Sequence, residues 1–198
     1  MMDGTCFYGT IPQETLALDP HEVACRLKVA RGYTDETIQR CEERLRRVLD
    51  CRYAGTRVAV SYPREHVIDF GCFTVESRAL YQNLGGCSAA FLFAVTIGSG
   101  ADRLIRTLSV TSAAEHFITD GLGSAFAEAA CDCAQQRIGG DMRCRRRFSP
   151  GYADVSLEVQ PQLLKAVNAG RLLNIHLGKT LLMSPSKSIT AIMGVEDV

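Results

Sequence analysis

The stretch Arg147-Phe148-Ser149-Pro150-Gly151-Tyr152 gathers the residue types of this chain best suited to holding a small ligand. Arg147 offers a planar fork of donors that can grip a carboxylate in a bidentate way. Gly151 lets backbone approach a bound molecule, Pro150 stiffens the turn, and Tyr152 adds a flat apolar face with a polar tip. The spacing Arg-x-x-x-Gly-Tyr therefore predicts a small-ligand cradle. The same letters also spell an ordinary surface turn, because Ser-Pro-Gly is common turn chemistry and an arginine beside it is usually solvated.

A second set of polar residues lies upstream. Residues 112 to 138 carry the longest helical pattern, in which Asp120, Ser124 and Glu128 recur every fourth position and so form one stripe on an otherwise apolar helix. Gly121, Gly123, Ala125, Ala127, Ala129 and Ala130 keep that helix thin, which makes sense when something packs close to it. The stripe reads equally as a solvated edge or as acceptors turned toward a ligand.

Other candidate motifs are weaker. Thr96-Ile97-Gly98-Ser99-Gly100 turns from a strand into a helix and resembles an anion site, but it lacks the third glycine of a dinucleotide fingerprint and reads as a tight turn. Gly178-Lys179-Thr180 imitates the end of a phosphate-binding loop, yet position 173, where an earlier glycine is required, is leucine. Nine cysteines show no zinc-type spacing, and Cys131-x-Cys133 sits in a helical pattern where residues two apart diverge, so no metal site is expected. The four histidines are scattered and read as structural or surface residues.

These residues need a scaffold. Residues 1 to 18 predict an extended N-terminal arm, and 19 to 50 predict two helices: one opened by Asp19-Pro20 and stopped at Gly32, one capped by Thr34 with Ile38, Cys41, Leu45 and Val48 on its apolar face. Period-two alternation from Arg57 (Val58, Val60, Tyr62) and again from His66 to Val75 predicts two strands with a turn at Pro63. A helix is expected over 76 to 84, and the apolar run from Ala89 to Ile97 reads as a strand buried on both faces. A helix begins near Ala101. After Gly139-Gly140 come Arg143, Arg145, Arg146 and Arg147, then a helix from Pro161 to Asn168 closed by Gly170. Residues 172 to 177 and 188 to 195 predict a closing pair of strands. Strands and helices without regular alternation predict an α+β fold, an antiparallel or mixed sheet flanked by helices.

An apolar share of 46% in 198 residues is enough for a sizeable core, and the length predicts a single domain spanning 1 to 198. With 22 basic against 22 acidic residues there is no global pull toward nucleic acid or an anionic membrane. No apolar run approaches the roughly 20 residues that span a bilayer, and no signal-peptide pattern opens the chain, so a cytoplasmic protein with reduced cysteines is expected.

The order of these features resembles a known family. Phe-Ala-Val-Thr-Ile-Gly (93 to 98), Asp-Gly-Leu-Gly-Ser-Ala-Phe-Ala-Glu-Ala (120 to 129), Arg-Phe-Ser-Pro-Gly-Tyr (147 to 152) and Leu-Leu-Met-Ser-Pro-Ser-Lys-Ser-Ile-Thr-Ala-Ile (181 to 192) look like the activation (reactivation) domain of cobalamin-dependent methionine synthase, in a short free-standing form. The resemblance covers the chain from about residue 57 onward. It implies binding of S-adenosylmethionine: Arg147 on the ligand carboxylate, Ser149 and Gly151 through backbone, Tyr152 packed along the ligand, and Glu128 near its cationic end. It further implies reductive methylation, in which an electron from a flavodoxin- or ferredoxin-like donor converts cob(II)alamin to cob(I)alamin, which then takes the methyl group. No side chain needs to act as nucleophile, acid or base. Since 198 residues leave no room for folate, homocysteine and cobalamin modules, the implied partner is a separately encoded methionine synthase core carrying the cobalamin. The chain would be a subunit of that methyltransferase, not catalytic alone. It departs from the family at Gly178-Lys179-Thr180, where Thr-Glu-Ser is common, and no segment matches the long form's acidic contact near its N-terminus or its C-terminal extension. These departures favour an alternative: a module that docks on and caps another corrinoid methyltransferase protein with little or no S-adenosylmethionine binding. A third reading is a purely structural protein with a degenerate pocket.

Overall fold

The computed structural model describes residues 6–27 and 35–197. In chain order, strand β1 (Cys6–Thr10) leads to helices α1 (Pro20–Arg26) and α2 (Asp35–Arg46). Strands β2 (Arg52–Ala59), β3 (Ser61–Arg64), β4 (Val67–Asp69) and β5 (Thr74–Glu76) follow, then α3 (Arg78–Leu84) and β6 (Ala89–Thr96). Next come α4 (Ser99–Thr111), α5 (Ala113–Gly139), α6 (Gln160–Ala166), α7 (Ala169–Leu173), β7 (His176–Leu177), β8 (Met183–Ser184) and β9 (Ser188–Val195).

The fold is organised about β6, every residue of which is buried. An apolar strand of this kind needs a strand on each side and a layer on each face. β2 and β9 flank it, both antiparallel, in a four-stranded sheet of order β1-β2-β6-β9. On one face Phe91, Phe93, Val95 and Met193 pack beneath α5 (Phe126, Ala130, Ala134), with Leu45 of α2 and Leu27 in the same cluster. On the other face Ala90, Leu92, Ala94 and Ile192 meet Ile68 and Val75 of the small sheet β3-β4-β5, Leu80 and Leu84 of α3, Leu163 of α6 and Leu173 of α7. This is the expected α+β architecture, with an antiparallel sheet between helical layers.

The long helix is where the sequence placed it, with Ser112 accepting from the Glu115 N–H at its start. Its thinness is used: a methyl at Gly121 would lie 2.9 Å from Leu27 Cδ2, so the segment after α1 closes directly onto α5. The turn reading of Gly98-Ser99-Gly100 also fits the packing. Gly98 has φ +87, and a side chain at Gly100 would collide with the Val48 carbonyl, which explains the two glycines by close backbone approach.

The extended N-terminal arm lies on the sheet as an edge strand, since Cys6 to Thr10 pair residue for residue with Thr56 to Arg52; positions 1–5, together with the predicted stop at Gly32 and cap at Thr34, lie outside the described residues. Three expectations need correction. The strand expected from Arg57 starts at Arg52, and Pro63 sits inside β3 rather than in a turn. That place is tolerated because β3 is an edge strand, where a missing N–H costs no ladder bond. Gly170 does not close α6; Asn168, at φ 54, ends it, and Gly170 lies within α7. Finally, residues 172–177 do not pair with 188–195. Leu173, Ile175 and Leu177 alternate like a strand, but Ala169 and Leu173 are buried one helical turn apart, and over so short a window the two periods are hard to separate. β9 pairs instead with β6 over eight residues, Ala89↔Val195 to Thr96↔Ser188, which buries far more apolar surface than the two-residue β7–β8 ladder could.

Candidate functional site

After α5 the chain reverses at Gly140, in the left-handed region at φ 51, and returns along the free edge of β9. Phe148 and Ile192 exchange backbone hydrogen bonds of 2.8 Å each way, and the Arg145 N–H donates to the Gly194 carbonyl at 2.8 Å. The arginine-rich segment is thereby fixed as a partial fifth strand. Beyond it the chain turns sharply: the Gly151 N–H donates to the Val155 carbonyl at 2.8 Å and the Tyr152 N–H to the Ser149 carbonyl at 3.2 Å. Gly151 at φ 89 makes the turn possible, and Val155 anchors it in the core.

Asp154 then ties this turn to α3. Its carboxylate accepts from Ser77 Oγ, from the Arg78 N–H at 2.7 Å and from the Ala79 N–H at 3.3 Å. The Ser77 hydrogen bond is the main cause, and with the backbone N–H groups of Arg78 and Ala79 it outweighs an opposing desolvation and holds the Asp154 carboxyl below the ordinary carboxylate range.

Between the turn and the segment 181–190 lies a cleft of about 1060 Å3. Four of the five predicted ligand residues, Arg147, Ser149, Tyr152 and Glu128, line it; Gly151 does not. Gly151 shapes the turn instead, and its N–H is already spent on Val155. Tyr152 is 66% exposed at the cleft, where Leu157 and Leu182 are exposed as well. The opposite wall is held firmly: Ser186 binds Asp102 of α4 through its N–H at 2.8 Å and its Oγ at 2.9 Å, and Thr190 Oγ1 donates to Gln160 Oε1 at 2.9 Å.

The polar stripe on α5 is taken up by two basic residues of the same chain. Lys187 Nζ lies 2.8 Å from Asp120 Oδ1 and donates to Ser124 Oγ at 2.9 Å, while Glu128 Oε2 accepts from Arg147 Nη2 at 2.8 Å. Arg147 Nη1 in turn reaches Asp132 and donates to Gln135 Oε1 at 3.1 Å. Arg147 is thus not a solvated surface residue; its side chain is 22% exposed and spans three partners on one helix. Burial works against its charge, but the neighbouring Cys131, Asp132 and Glu128 outweigh it and hold the guanidinium pKa above the usual arginine range. Cys131, beneath this network, is pushed up to about 12, first by burial, and is a protonated thiol at neutral pH.

Asp132 and Gln135 were legible in principle, since Asp132 continues the every-fourth-residue stripe and Gln135 follows one turn later on the same face. Lys187, Ser186 and Asp154 were not, because their partners lie 63, 84 and 77 positions away. Among the described residues no group of three or more His, Cys, Asp or Glu is placed to hold a metal ion, and no helix is long and apolar enough to cross a membrane.

A four-stranded antiparallel sheet carries a long small-residue helix on one face and a ligand-sized cleft beside β9, and this fold is shared with a solved structure. The chain superimposes on the crystal structure of the MetH reactivation domain bound to AdoHcy with a TM-score of 0.71, over 96% of this chain and 78% of that one, at 12% sequence identity. No family profile and no curated protein sequence matches the chain.

Proposed function

We propose that this chain is an S-adenosylmethionine-binding unit that presents the activated methyl group to a corrinoid carried by another protein, supporting reductive methylation in a methionine synthase system in trans. The observation that carries this reading is a coincidence: the fold likeness to a domain bound to AdoHcy runs across 96% of the chain, and the turn 147–153 forms the wall of its cleft.

The residues present suit such a ligand. Tyr152, Leu157 and Leu182 supply apolar faces for an adenine ring, Ser149 and Ser186 supply polar groups, and Glu128 supplies negative charge for the ammonium or sulfonium. Bound here, S-adenosylmethionine would supply an activated methyl group to a cobalamin carried by the partner, for which a flavodoxin- or ferredoxin-like protein would be the electron donor. What this chain does is bind, orient and shield: the pinned wall at Ser186 and the Asp154-held turn fix the two sides between which the sulfonium would sit, and positioning of that kind is itself a large part of catalysis.

One observation favours a second reading. Arg147, Glu128 and Asp132 already satisfy one another, so the charges that a zwitterionic ligand would seek are partly neutralised within the chain. That arrangement suits a module that docks on and caps a corrinoid protein with weak S-adenosylmethionine binding. Isothermal titration with S-adenosylmethionine, alone and with a cobalamin-loaded synthase core lacking its own activation domain, separates the two. Binding in either titration supports the first reading, and association with the core that is indifferent to S-adenosylmethionine supports the second.

A further inference from the structure

The strand edges of this molecule are not treated alike. The outer edge of β9 is covered by its own chain, through the Cys144↔Val195 and Phe148↔Ile192 bridges. In the small sheet, edge strand β3 carries Pro63 and Arg64, and edge strand β5 is three residues long and ends in Glu76. Short length, proline and charge are the usual devices that keep an edge from pairing with another chain. β1 has none of them: its five residues, Cys-Phe-Tyr-Gly-Thr, are uncharged and free of proline.

The hydrogen-bond phase of β1 follows from its register. The Ile11 N–H donates to the Cys51 carbonyl at 2.8 Å, and pairing with β2 continues without a shift from Thr10↔Arg52 to Cys6↔Thr56. In an antiparallel ladder the bonding direction alternates, so Phe7 and Gly9 turn their N–H and C=O toward β2 while Cys6, Tyr8 and Thr10 turn theirs outward. Arg137 Nη1 donates to the Thr10 carbonyl at 2.7 Å, but the Tyr8 N–H and C=O have no partner among the described residues. The Tyr8 side chain at the middle of this edge is 73% exposed.

We infer that the β1 edge pairs with β1 of a second copy of this chain, antiparallel about a two-fold axis at Tyr8. The edge is its own complement: outward groups at 6, 8 and 10 are symmetric about Tyr8, so Tyr8 meets Tyr8 of the second copy and each Cys6 meets the other's Thr10. No side chain of β1 is charged, so self-pairing sets no like charges opposite one another, and the two tyrosine rings form a cross-strand aromatic pair. The four-stranded sheet of each copy becomes half of one continuous sheet. The cleft lies beside β9, at the far end of the strand order from β1, so both clefts stay open in the pair. A five-residue ladder is a small interface, which makes the association weak and dependent on concentration.

Sedimentation velocity of the full chain, from about 1 µM to about 1 mM, tests this. Wild type is expected to pass from monomer to dimer as concentration rises, and amide exchange followed by NMR should show the Tyr8 N–H becoming protected over the same range. Tyr8→Pro removes the outward donor without removing a bond to β2, and Tyr8→Lys places two ammonium groups across the axis; each should weaken dimerisation by about 10-fold or more. If Tyr8→Pro does not fold, Tyr8→Lys still decides, because this side chain is in solvent in the monomer. A dimer that persists unchanged in the folded variants, or one that leaves the Tyr8 amide unprotected, overturns the assignment to β1. Assembly beyond a dimer overturns the closed two-fold, and a wild type that stays monomeric throughout overturns the second copy as occupant of this edge.

Discussion

The contact between Arg147 and Glu128 makes a quantitative prediction. The two side chains are 22% and 29% exposed and meet at 2.8 Å, so the pair is neither a surface ion pair nor a fully buried one. Exposed pairs couple by roughly 0.2 to 1 kcal/mol, and breaking a buried pair costs about 3 to 5 kcal/mol. An intermediate site predicts a coupling of about 1 to 2 kcal/mol between these two residues. Arg147→Met keeps the aliphatic stem but also strips Asp132 and Gln135 of their donor, so its total cost should reach about 2 to 3 kcal/mol. For a domain of this size that is a fall in melting temperature of about 4 to 12 °C. Urea denaturation of wild type, Arg147→Met, Glu128→Gln and the double variant closes a double-mutant cycle in which the minor contact of Glu128 with Arg26 cancels. Additivity within about 0.5 kcal/mol, with unchanged denaturant slopes, would refute the claim that this pair joins the arginine segment to α5.

Other outcomes are equally open to measurement. Asp154, whose carboxyl is held below its ordinary value of 3.8, binds its proton more readily in the unfolded chain, so it adds stability above about pH 4 to 5 that is lost as pH falls through its lower folded value. Asp154→Asn should flatten the acid limb of the stability profile, and an unchanged limb would contradict its role at α3. With thiols pushed up to about 12, Cys51 and Cys131 should resist iodoacetamide at pH 8 while exposed Cys6 and Cys25 react, as read by peptide mass spectrometry; modification of all four at similar rates would be incompatible with the packing. Gly55→Ala should destabilise by about 1 to 3 kcal/mol in thermal denaturation, because the added methyl would strike the Phe7 ring and sit 2.6 Å from the Leu92 carbonyl; wild-type stability would show that the edge strand β1 does not pack as described.

How much of this was legible in the sequence follows from the range of each interaction. The buried strand at 89–97, the long helix from 113 and the turn at 149–152 are written in local patterns: an unbroken apolar run, small residues at helical spacing, and a Pro-Gly pair that admits few backbone conformations. The resemblance carried by those stretches pointed to the fold found in the structure. The polar stripe was also visible as a stripe, since positions four apart on a helix share a face whatever lies opposite.

What lies opposite was decided only by the tertiary structure. Whether Asp120 and Ser124 face water, a ligand or Lys187 depends on β9 pairing with β6, and that choice is settled by an eight-residue ladder of mostly buried, mostly apolar positions rather than by any feature of residues 172–177. The difference between Arg146 and Arg147 arises in the same way. In sequence they are adjacent and chemically identical, yet the hydrogen bonds along β9 fix the backbone so that one guanidinium reaches the carboxylates of α5 and the other is left open to the cleft. Local sequence sets which conformations each segment prefers, but partners 63 to 84 residues apart become neighbours only when the sheet and its helices close together.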